Sequence, residues 1–138
     1  MNPTKSILVV ESDPVVQGWL CHVLRASGFS ASAADSLKQA LTRLGTDTSF
    51  AAVICDYCLP DGTCLDLLAG LRGYRGTRVP VLLTSGSWLQ PLPGEAGLEL
   101  LAKPFDASQM LAALNRLLLV SAPNNFAVND SAPALRRD

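Results

Sequence analysis

Short apolar runs alternate with longer amphipathic stretches along this chain. The apolar runs, which predict β-strands, lie at residues 6–10, 28–34, 51–55, 79–83 and 98–102. The amphipathic stretches, which predict helices, lie at residues 14–26, 36–44, 64–71 and 107–119. Most strand runs are apolar throughout rather than alternating, which is typical of strands buried on both faces of a parallel sheet. The pattern therefore predicts an α/β fold, a doubly wound five-stranded parallel sheet with right-handed crossovers.

Two parts of the chain depart from this alternation. The link at residues 86–97 contains two prolines and three glycines, so we expect a shortened fourth helix there, of one turn at most, or none. Residues 121–138 show no apolar periodicity, which predicts a disordered C-terminal tail. The expected organisation is thus one domain at 1–120, followed by the tail.

Composition narrows the class of protein. The chain has 138 residues, of which 49% are hydrophobic and 17% charged, as expected for one globular domain. Its net charge of −1 gives no electrostatic signature of nucleic acid or of a membrane surface. The N-terminal apolar run is too short for a signal peptide or a membrane span, so a cytoplasmic location is expected. In that setting we expect reduced thiols at all four cysteines, Cys21, Cys55, Cys58 and Cys64.

Polar residues follow the predicted strands at their carboxyl ends, where ligands bind to open parallel sheets. Glu11, Ser12 and Asp13 follow the first strand, and Asp56 follows the third. Thr84 follows the fourth strand. Lys103 follows the fifth.

The residue types in this set indicate a chemistry. Two carboxylates on adjacent strand ends repel each other unless a cation lies between them, and oxygen ligands suit Mg²⁺. A hydroxyl group and an ammonium group can bind the oxygens of an anion beside that metal. A carboxylate nucleophile, a metal, a hydroxyl and a lysine are the parts needed to accept a phosphoryl group. The sequence therefore predicts that Asp56 is a phosphoryl acceptor.

Four segments resemble, in order and spacing, the motifs of two-component response-regulator receiver domains: "ILVVESDP", "VICDYCLPDGTCLDLL", "VLLTSG" and "LAKPF". The resemblance covers roughly residues 5–120. It implies a flavodoxin-like fold with strand order 2-1-3-4-5. It also implies a signalling phosphoacceptor, rather than an enzyme, that receives its phosphoryl group from a histidine kinase or a histidine phosphotransfer protein.

The resemblance also assigns roles to single residues. Asp56 would carry the phosphoryl group, and Thr84 and Lys103 would contact its oxygens. Glu11, Asp56 and the backbone carbonyl of Cys58 would bind Mg²⁺. A cis peptide bond is implied between Lys103 and Pro104, the kind of bond in which cis is least costly.

Three features depart from the family pattern. Ser12 stands where the family has a second acidic residue, so Mg²⁺ should bind weakly. Leu100 stands where the family has a Tyr or Phe that turns inward on activation, and the short link at 86–97 is expected to lack the full fourth helix that takes part in that switch. Either Ser12 or Asp13 could still reach the metal through a water molecule. For Asp13 the following Pro14 favours a helix N-cap.

Other interpretations remain beside the leading one. The chain could be a pseudo-receiver, a protein-interaction module that no longer responds to phosphorylation, which Ser12 and Leu100 motivate. A thioredoxin-type C-x-x-C site at 55–58 is disfavoured because the motif crosses a strand end instead of opening a helix. Zinc is disfavoured because ligand pairs are missing around the single histidine. Trp19 fits either a core edge or a kinase-docking surface, and we expect a monomer before activation, with a dimer on activation left open.

Overall fold

The computed structural model describes residues 4–75, 79–86 and 97–121. Its elements, in chain order, are β1 (Ser6–Val10), α1 (Pro14–Ala26), β2 (Ser30–Ala34), α2 (Leu37–Thr46), β3 (Phe50–Asp56), β4 (Cys58–Leu59), β5 (Gly62–Thr63), α3 (Cys64–Arg75), β6 (Val81–Ser85), β7 (Leu98–Ala102) and α4 (Ala107–Ser121).

The main sheet has five parallel strands in the order β2-β1-β3-β6-β7. The two short strands β4 and β5 form a separate antiparallel hairpin between β3 and α3. When that hairpin is set aside, the order is the expected 2-1-3-4-5, and the flavodoxin-like fold class is confirmed.

Two layers of helices cover the two faces of the sheet. Along β1, Ile7 and Val9 belong to the core under α1 and α4, whereas Leu8 and Val10 belong to the core under α2 and α3. Because successive side chains of a strand point to opposite faces, a strand covered on both faces must be apolar at every position. This is why β1 has no alternating pattern.

Two predicted strands begin later in the structure than in the sequence analysis. The strand expected at 28–34 starts at Ser30, because Gly28 has a φ of 96° and ends α1 by donating its N–H to the Arg25 carbonyl at 3.1 Å. The strand expected at 79–83 is Val81–Ser85. Pro80, which precedes it, has no N–H to donate to a ladder.

The N-terminus of α1 is capped as the sequence predicts. The Asp13 carboxylate accepts hydrogen bonds from the N–H groups of Val15 at 2.9 Å and Val16 at 3.4 Å, and Pro14 occupies the first helical position. These bonds satisfy two backbone donors that have no partner inside the helix. The capping interpretation of Asp13 is therefore confirmed.

Some predictions fall outside the described residues. The link expected to hold at most one helical turn lies largely at 87–96, and the expected tail lies at 122–138. Ser121, which we expected to be the first residue of the tail, is instead the last residue of α4. Among the described residues, the helices are too short or too polar to cross a membrane.

The packing of α4 predicts a difference between two leucines of the same helix. Leu114 is fully buried against the sheet, whereas Leu119 is 79% exposed. We expect Leu114→Ala to lower the free energy of unfolding by about 2–5 kcal/mol, because it leaves a cavity in the core. The control Leu119→Ala should change it by no more than about 0.5 kcal/mol. Urea denaturation measures both values, and equal values would contradict this packing.

Candidate functional site

The carboxyl ends of four strands bring the predicted site residues to one rim of the sheet. Glu11 directly follows β1, and Lys103 directly follows β7. Asp56 ends β3, where it pairs in register with Thr84 of β6. Thr84 is buried, with 1% of its surface exposed.

The Lys103 ammonium lies between two carboxylates. Its Nζ atom is 3.2 Å from Oε1 of Glu11 and 3.4 Å from Oδ1 of Asp56. Lys103 and Glu11 are 92 positions apart in the chain. The structure thus brings together three of the predicted site residues, and it gives both carboxylates the same cationic partner.

Glu11 is held from several directions. Its side chain is buried, and its second oxygen, Oε2, accepts a hydrogen bond from the Asp13 N–H at 3.1 Å. Its backbone N–H donates to the Ala34 carbonyl at 3.0 Å. Its own carbonyl accepts a hydrogen bond from Nε2 of Gln17 at 2.8 Å. The carboxylate therefore has a fixed orientation towards Lys103.

Gln17 is a site residue that the sequence analysis missed. It lies one turn into α1, where its backbone N–H bonds to the Asp13 carbonyl at 2.9 Å. The available signal in the sequence was one polar residue beside the apolar stripe of the predicted helix. That signal does not distinguish a solvated side chain from one that reaches a neighbouring strand end.

The charges around Lys103 change its pKa in opposite directions. Partial burial alone would lower the pKa of the ammonium, because it disfavours the charged form. The Glu11 and Asp56 carboxylates, through their charges and hydrogen bonds, outweigh burial and raise the pKa above its ordinary value. Lys103 is therefore a fixed positive charge at neutral pH.

The segment after Asp56 is anchored at its base. The Tyr57 N–H donates to the Thr84 carbonyl at 2.8 Å, and the Tyr57 carbonyl accepts a hydrogen bond from the Cys64 N–H at 2.9 Å. Between these anchors, Cys58 pairs with Thr63 in the β4–β5 hairpin. Cys58 is thus held two residues beyond Asp56, at the same rim of the sheet.

The donors at this rim fit a magnesium ion. Glu11 and Asp56 offer carboxylate oxygens, and Mg²⁺ in proteins commonly takes one or two carboxylates and keeps several waters. Among the described residues, His, Cys, Asp and Glu side chains do not form any group of three or more that could hold a metal. Ser12, which is exposed, offers a hydroxyl and not a carboxylate. Direct ligation by the Cys58 carbonyl, and ligation by Ser12 or Asp13 through water, stay predictions.

The cysteines do not form a redox centre in this arrangement. All four thiols are free, and only Cys58 is exposed. The pKa of the Cys55 thiol lies far above its ordinary value, first because of its hydrogen bond with the Cys64 thiol and second because of burial. A neutral buried thiol is a poor nucleophile. These observations agree with the expected reduced state.

An apolar groove of about 660 Å³ adjoins the site. It is lined by Val15, Val16, Trp19, Gly86, Lys103, Pro104 and Phe105. Trp19 is 37% exposed and packs on Phe105 with ring centroids 5.9 Å apart, which agrees with the core-edge interpretation. The Lys103–Pro104 peptide bond is cis, as the resemblance implies.

Leu100 lies on the opposite side of β7 from the groove. It is 44% exposed, on an edge strand of the main sheet. The leucine has no aromatic ring to turn inward, and the expected departure from an aromatic switch stays a prediction.

Comparison with known proteins identifies the chain's relatives. The family model described as "Response regulator receiver domain" matches residues 7–115. The acid tolerance regulatory protein ActR of Rhizobium meliloti (strain 1021) is 35% identical over 117 residues, which cover 83% of this chain and 60% of ActR. The chain thus spans about three fifths of the length of that relative.

Two solved structures show the same architecture. The receiver domain of the hybrid histidine kinase CckA is 29% identical, with a TM-score of 0.70, covering 82% of this chain and 98% of its own. The receiver domain of the sensor histidine kinase PA1611 from Pseudomonas aeruginosa PAO1 is 27% identical, with a TM-score of 0.73, covering 84% and 98%. The PA1611 structure has a magnesium ion coordinated in its active-site cleft.

The raised pKa of Lys103 predicts how the ion pair depends on pH. Because the pKa of Lys103 is higher in the folded state, the ion pair stabilises the fold fully at any pH below the pKa of the unfolded state, about 10.4. This contribution to stability is lost as the pH rises through the pKa of the folded state. We therefore expect the difference in unfolding free energy between wild type and Lys103→Met to narrow at alkaline pH. Urea denaturation between neutral and strongly alkaline pH measures this difference, and a constant difference would contradict the assignment.

Proposed function

The chain belongs to the response-regulator receiver family, and we propose that it accepts a phosphoryl group on Asp56 within a two-component phosphorelay. The observation that carries this proposal is the position of the Lys103 ammonium, 3.4 Å from Oδ1 of Asp56. An ammonium beside a carboxylate nucleophile is placed to bind the oxygens of an incoming phosphoryl group.

The reaction moves one phosphoryl group between two nucleophiles. An oxygen of the Asp56 carboxylate attacks the phosphorus of a phosphohistidine, a P–O bond forms, and the P–N bond breaks. The histidine nitrogen keeps the bonding electron pair and takes a proton from water. The product is an acyl phosphate on Asp56.

The neighbouring side chains act on the charge that builds up during transfer. Lys103 moves its ammonium from the Asp56 carboxylate to a phosphoryl oxygen, and Glu11 holds it near that position through Oε1. The hydroxyl of Thr84, on the strand paired with β3, donates to a second phosphoryl oxygen. Mg²⁺, when held by Glu11, Asp56 and the Cys58 carbonyl, supplies further neutralisation of the phosphoryl charge.

In this proposal the protein is a signalling phosphoacceptor and not an enzyme with a separate substrate. It takes the phosphoryl group onto its own side chain, from a protein donor or a small phosphodonor, and loses it to water. The proposed donor is a histidine kinase or a histidine phosphotransfer protein, and the proposed setting is the cytoplasm, with the chain a monomer before activation. No nucleic acid or membrane partner is proposed.

The apolar groove supports a protein donor. It opens beside Lys103, and Val15 on its wall is 78% exposed. An exposed apolar surface next to a reactive group suits a docking partner better than it suits a small, charged phosphodonor. We propose that the donor protein covers Val15 and Trp19 while its phosphohistidine reaches Asp56.

Phosphorylation at Asp56 can be tested without a known kinase. We expect acetyl phosphate with Mg²⁺ to add one phosphoryl group to wild type and none to Asp56→Asn, since an amide is a poor nucleophile. Mass spectrometry of the intact protein measures the addition. The control Asp35→Asn, which alters an exposed carboxylate after the edge strand β2, should be phosphorylated like wild type. Wild type that stays unmodified at saturating Mg²⁺ would overturn the proposal.

The pseudo-receiver is the second candidate, and the exposed Ser12 in place of a carboxylate favours it. A pseudo-receiver would bind its partner equally well as wild type and as Asp56→Asn. A phosphoacceptor should bind differently before and after treatment with acetyl phosphate, and only when Asp56 is intact. Val15→Asp, tested in the same binding assay, reports whether the groove takes part.

Replacing Ser12 with aspartate would supply the carboxylate that this position lacks, so the replacement should strengthen the binding of Mg²⁺. We expect Ser12→Asp to tighten Mg²⁺ binding at least about fivefold, because a unit charge 4 Å from another contributes about 1 kcal/mol even in bulk water. Isothermal titration calorimetry with MgCl₂ measures the affinity. The matched control is Ser30→Asp, an exposed serine at the opposite end of the sheet, and it should leave the affinity unchanged. An unaltered affinity in Ser12→Asp would show that Ser12 lies outside the metal's reach.

A further inference from the structure

Asp61 makes a contact that the proposed reaction does not use. It lies at the tip of the β4–β5 hairpin, between Leu59 and Gly62. Its carboxylate accepts hydrogen bonds from the N–H groups of Leu37 at 2.7 Å and Lys38 at 3.0 Å, the first two residues of α2. The hairpin that follows the phosphoacceptor is therefore bonded to a helix 23–24 positions earlier in the chain.

The N-terminus of α2 has two separate caps. Ser36, the residue before the helix, accepts a hydrogen bond from the Gln39 N–H through Oγ at 3.1 Å. Asp61 satisfies the two preceding N–H groups from outside the helix. Ser36 satisfies only one of the backbone donors that lack a partner in the first turn of α2, so both caps serve the helix. The second cap also ties the hairpin to α2, which the first cannot do.

The hairpin packs closely against α2 at this point. A Cβ atom added to Gly62 would lie 2.7 Å from Cδ2 of Leu37 and 2.9 Å from Oδ2 of Asp66, so no larger residue fits there without a shift. The Asp66 carboxylate also accepts the Thr63 N–H at 2.9 Å. The far end of the hairpin is thus held by α2 and α3 together.

The base of the hairpin, the end next to Asp56, carries the Cys58 carbonyl that the proposed metal site uses. The base is closed by the bond from the Cys64 N–H to the Tyr57 carbonyl, and Cys58 lies between that bond and the tip. Without the Asp61 bonds, the hairpin would keep the anchor at its base and the bond from the Thr63 N–H to Asp66, but it would lose its hydrogen bonds to α2. The position of the Cys58 carbonyl relative to Asp56 therefore depends on both ends.

We propose that Asp61 is a positioning residue, which fixes the hairpin against α2 and so holds the Cys58 carbonyl where the divalent cation binds. This inference rests on the proposed phosphoacceptor function. Asp61 itself does not touch the cation or the phosphoryl group. Its effect passes through the hairpin, so its loss weakens cation binding without removing a ligand.

The matched control is the other cap of the same helix. Ser36→Ala and Asp61→Ala each remove a cap from α2, but only Asp61→Ala releases the hairpin. We expect Asp61→Ala to raise the Mg²⁺ dissociation constant about tenfold, as is common when the support of a metal ligand is removed. Ser36→Ala should keep the wild-type constant. Isothermal titration calorimetry with MgCl₂ measures both, and thermal unfolding confirms that each variant is folded.

A third variant separates position from charge. Asp61→Asn loses the negative charge but keeps one oxygen that can accept an N–H, so its dissociation constant should fall between those of wild type and Asp61→Ala. Equal values for Asp61→Asn and Asp61→Ala would assign the effect to charge and overturn the proposal. Equal values for Asp61→Ala and Ser36→Ala would reduce Asp61 to a helix cap and also overturn it.

Amide hydrogen exchange, measured without Mg²⁺, tests directly whether Asp61 holds the hairpin. Amide hydrogen exchange at Cys58 and Leu59 should become faster in Asp61→Ala than in Ser36→Ala, because only the former frees the tip of the hairpin. Unchanged exchange in Asp61→Ala would overturn the proposal even if Mg²⁺ binding fell. Wild type that binds no Mg²⁺ and accepts no phosphoryl group would instead be a failure of the proposed function, and it would remove the premise of this inference.

Discussion

The ammonium of Lys103, placed between the carboxylates of Glu11 and Asp56, is the interaction on which the site depends. Two carboxylates at neighbouring strand ends, one of them buried, would repel each other at a cost that burial increases. The ammonium offsets that cost. Lys103 follows the edge strand β7, so its side chain must extend past β6 to reach the carboxylates at the ends of β3 and β1. Neighbouring strands are about 4.8 Å apart, so only a long, flexible side chain can make this contact.

The same ion pair sets the charge at the candidate metal site. Two carboxylates and one ammonium leave a single net negative charge, and Ser12 adds none. A cation entering this rim must compete with Lys103 for the carboxylate oxygens. In the proposed reaction, an arriving phosphoryl group replaces Asp56 as an anionic partner of the ammonium, which frees the Asp56 carboxylate for the cation.

The surrounding fold supports the site through backbone groups as much as through side chains. Gln17 fixes the Glu11 carbonyl from α1, and Asp61 fixes the hairpin after Asp56 from the side of α2. Helices on both faces of the sheet thus hold the two segments that carry the carboxylates. This explains why polar residues occur at Gln17 of α1 and at Asp61 of the hairpin, where a packing argument alone would assign them to solvent.

Local regularities in the sequence determined the fold class and the meeting of the principal site residues. Unbroken apolar runs indicate strands buried on both faces, and parallel strands bring their carboxyl ends to one rim, so Glu11, Asp56 and Lys103 could be assigned to it. The cap at Asp13 followed from its neighbour Pro14. Only the tertiary structure showed the β4–β5 hairpin, the bond that Gln17 donates and the bonds that Asp61 accepts. The Asp61 bonds depend on how closely α2 approaches a hairpin 23–24 positions later in the chain. Periodicity records which side of an element is buried, not which polar group lies opposite it.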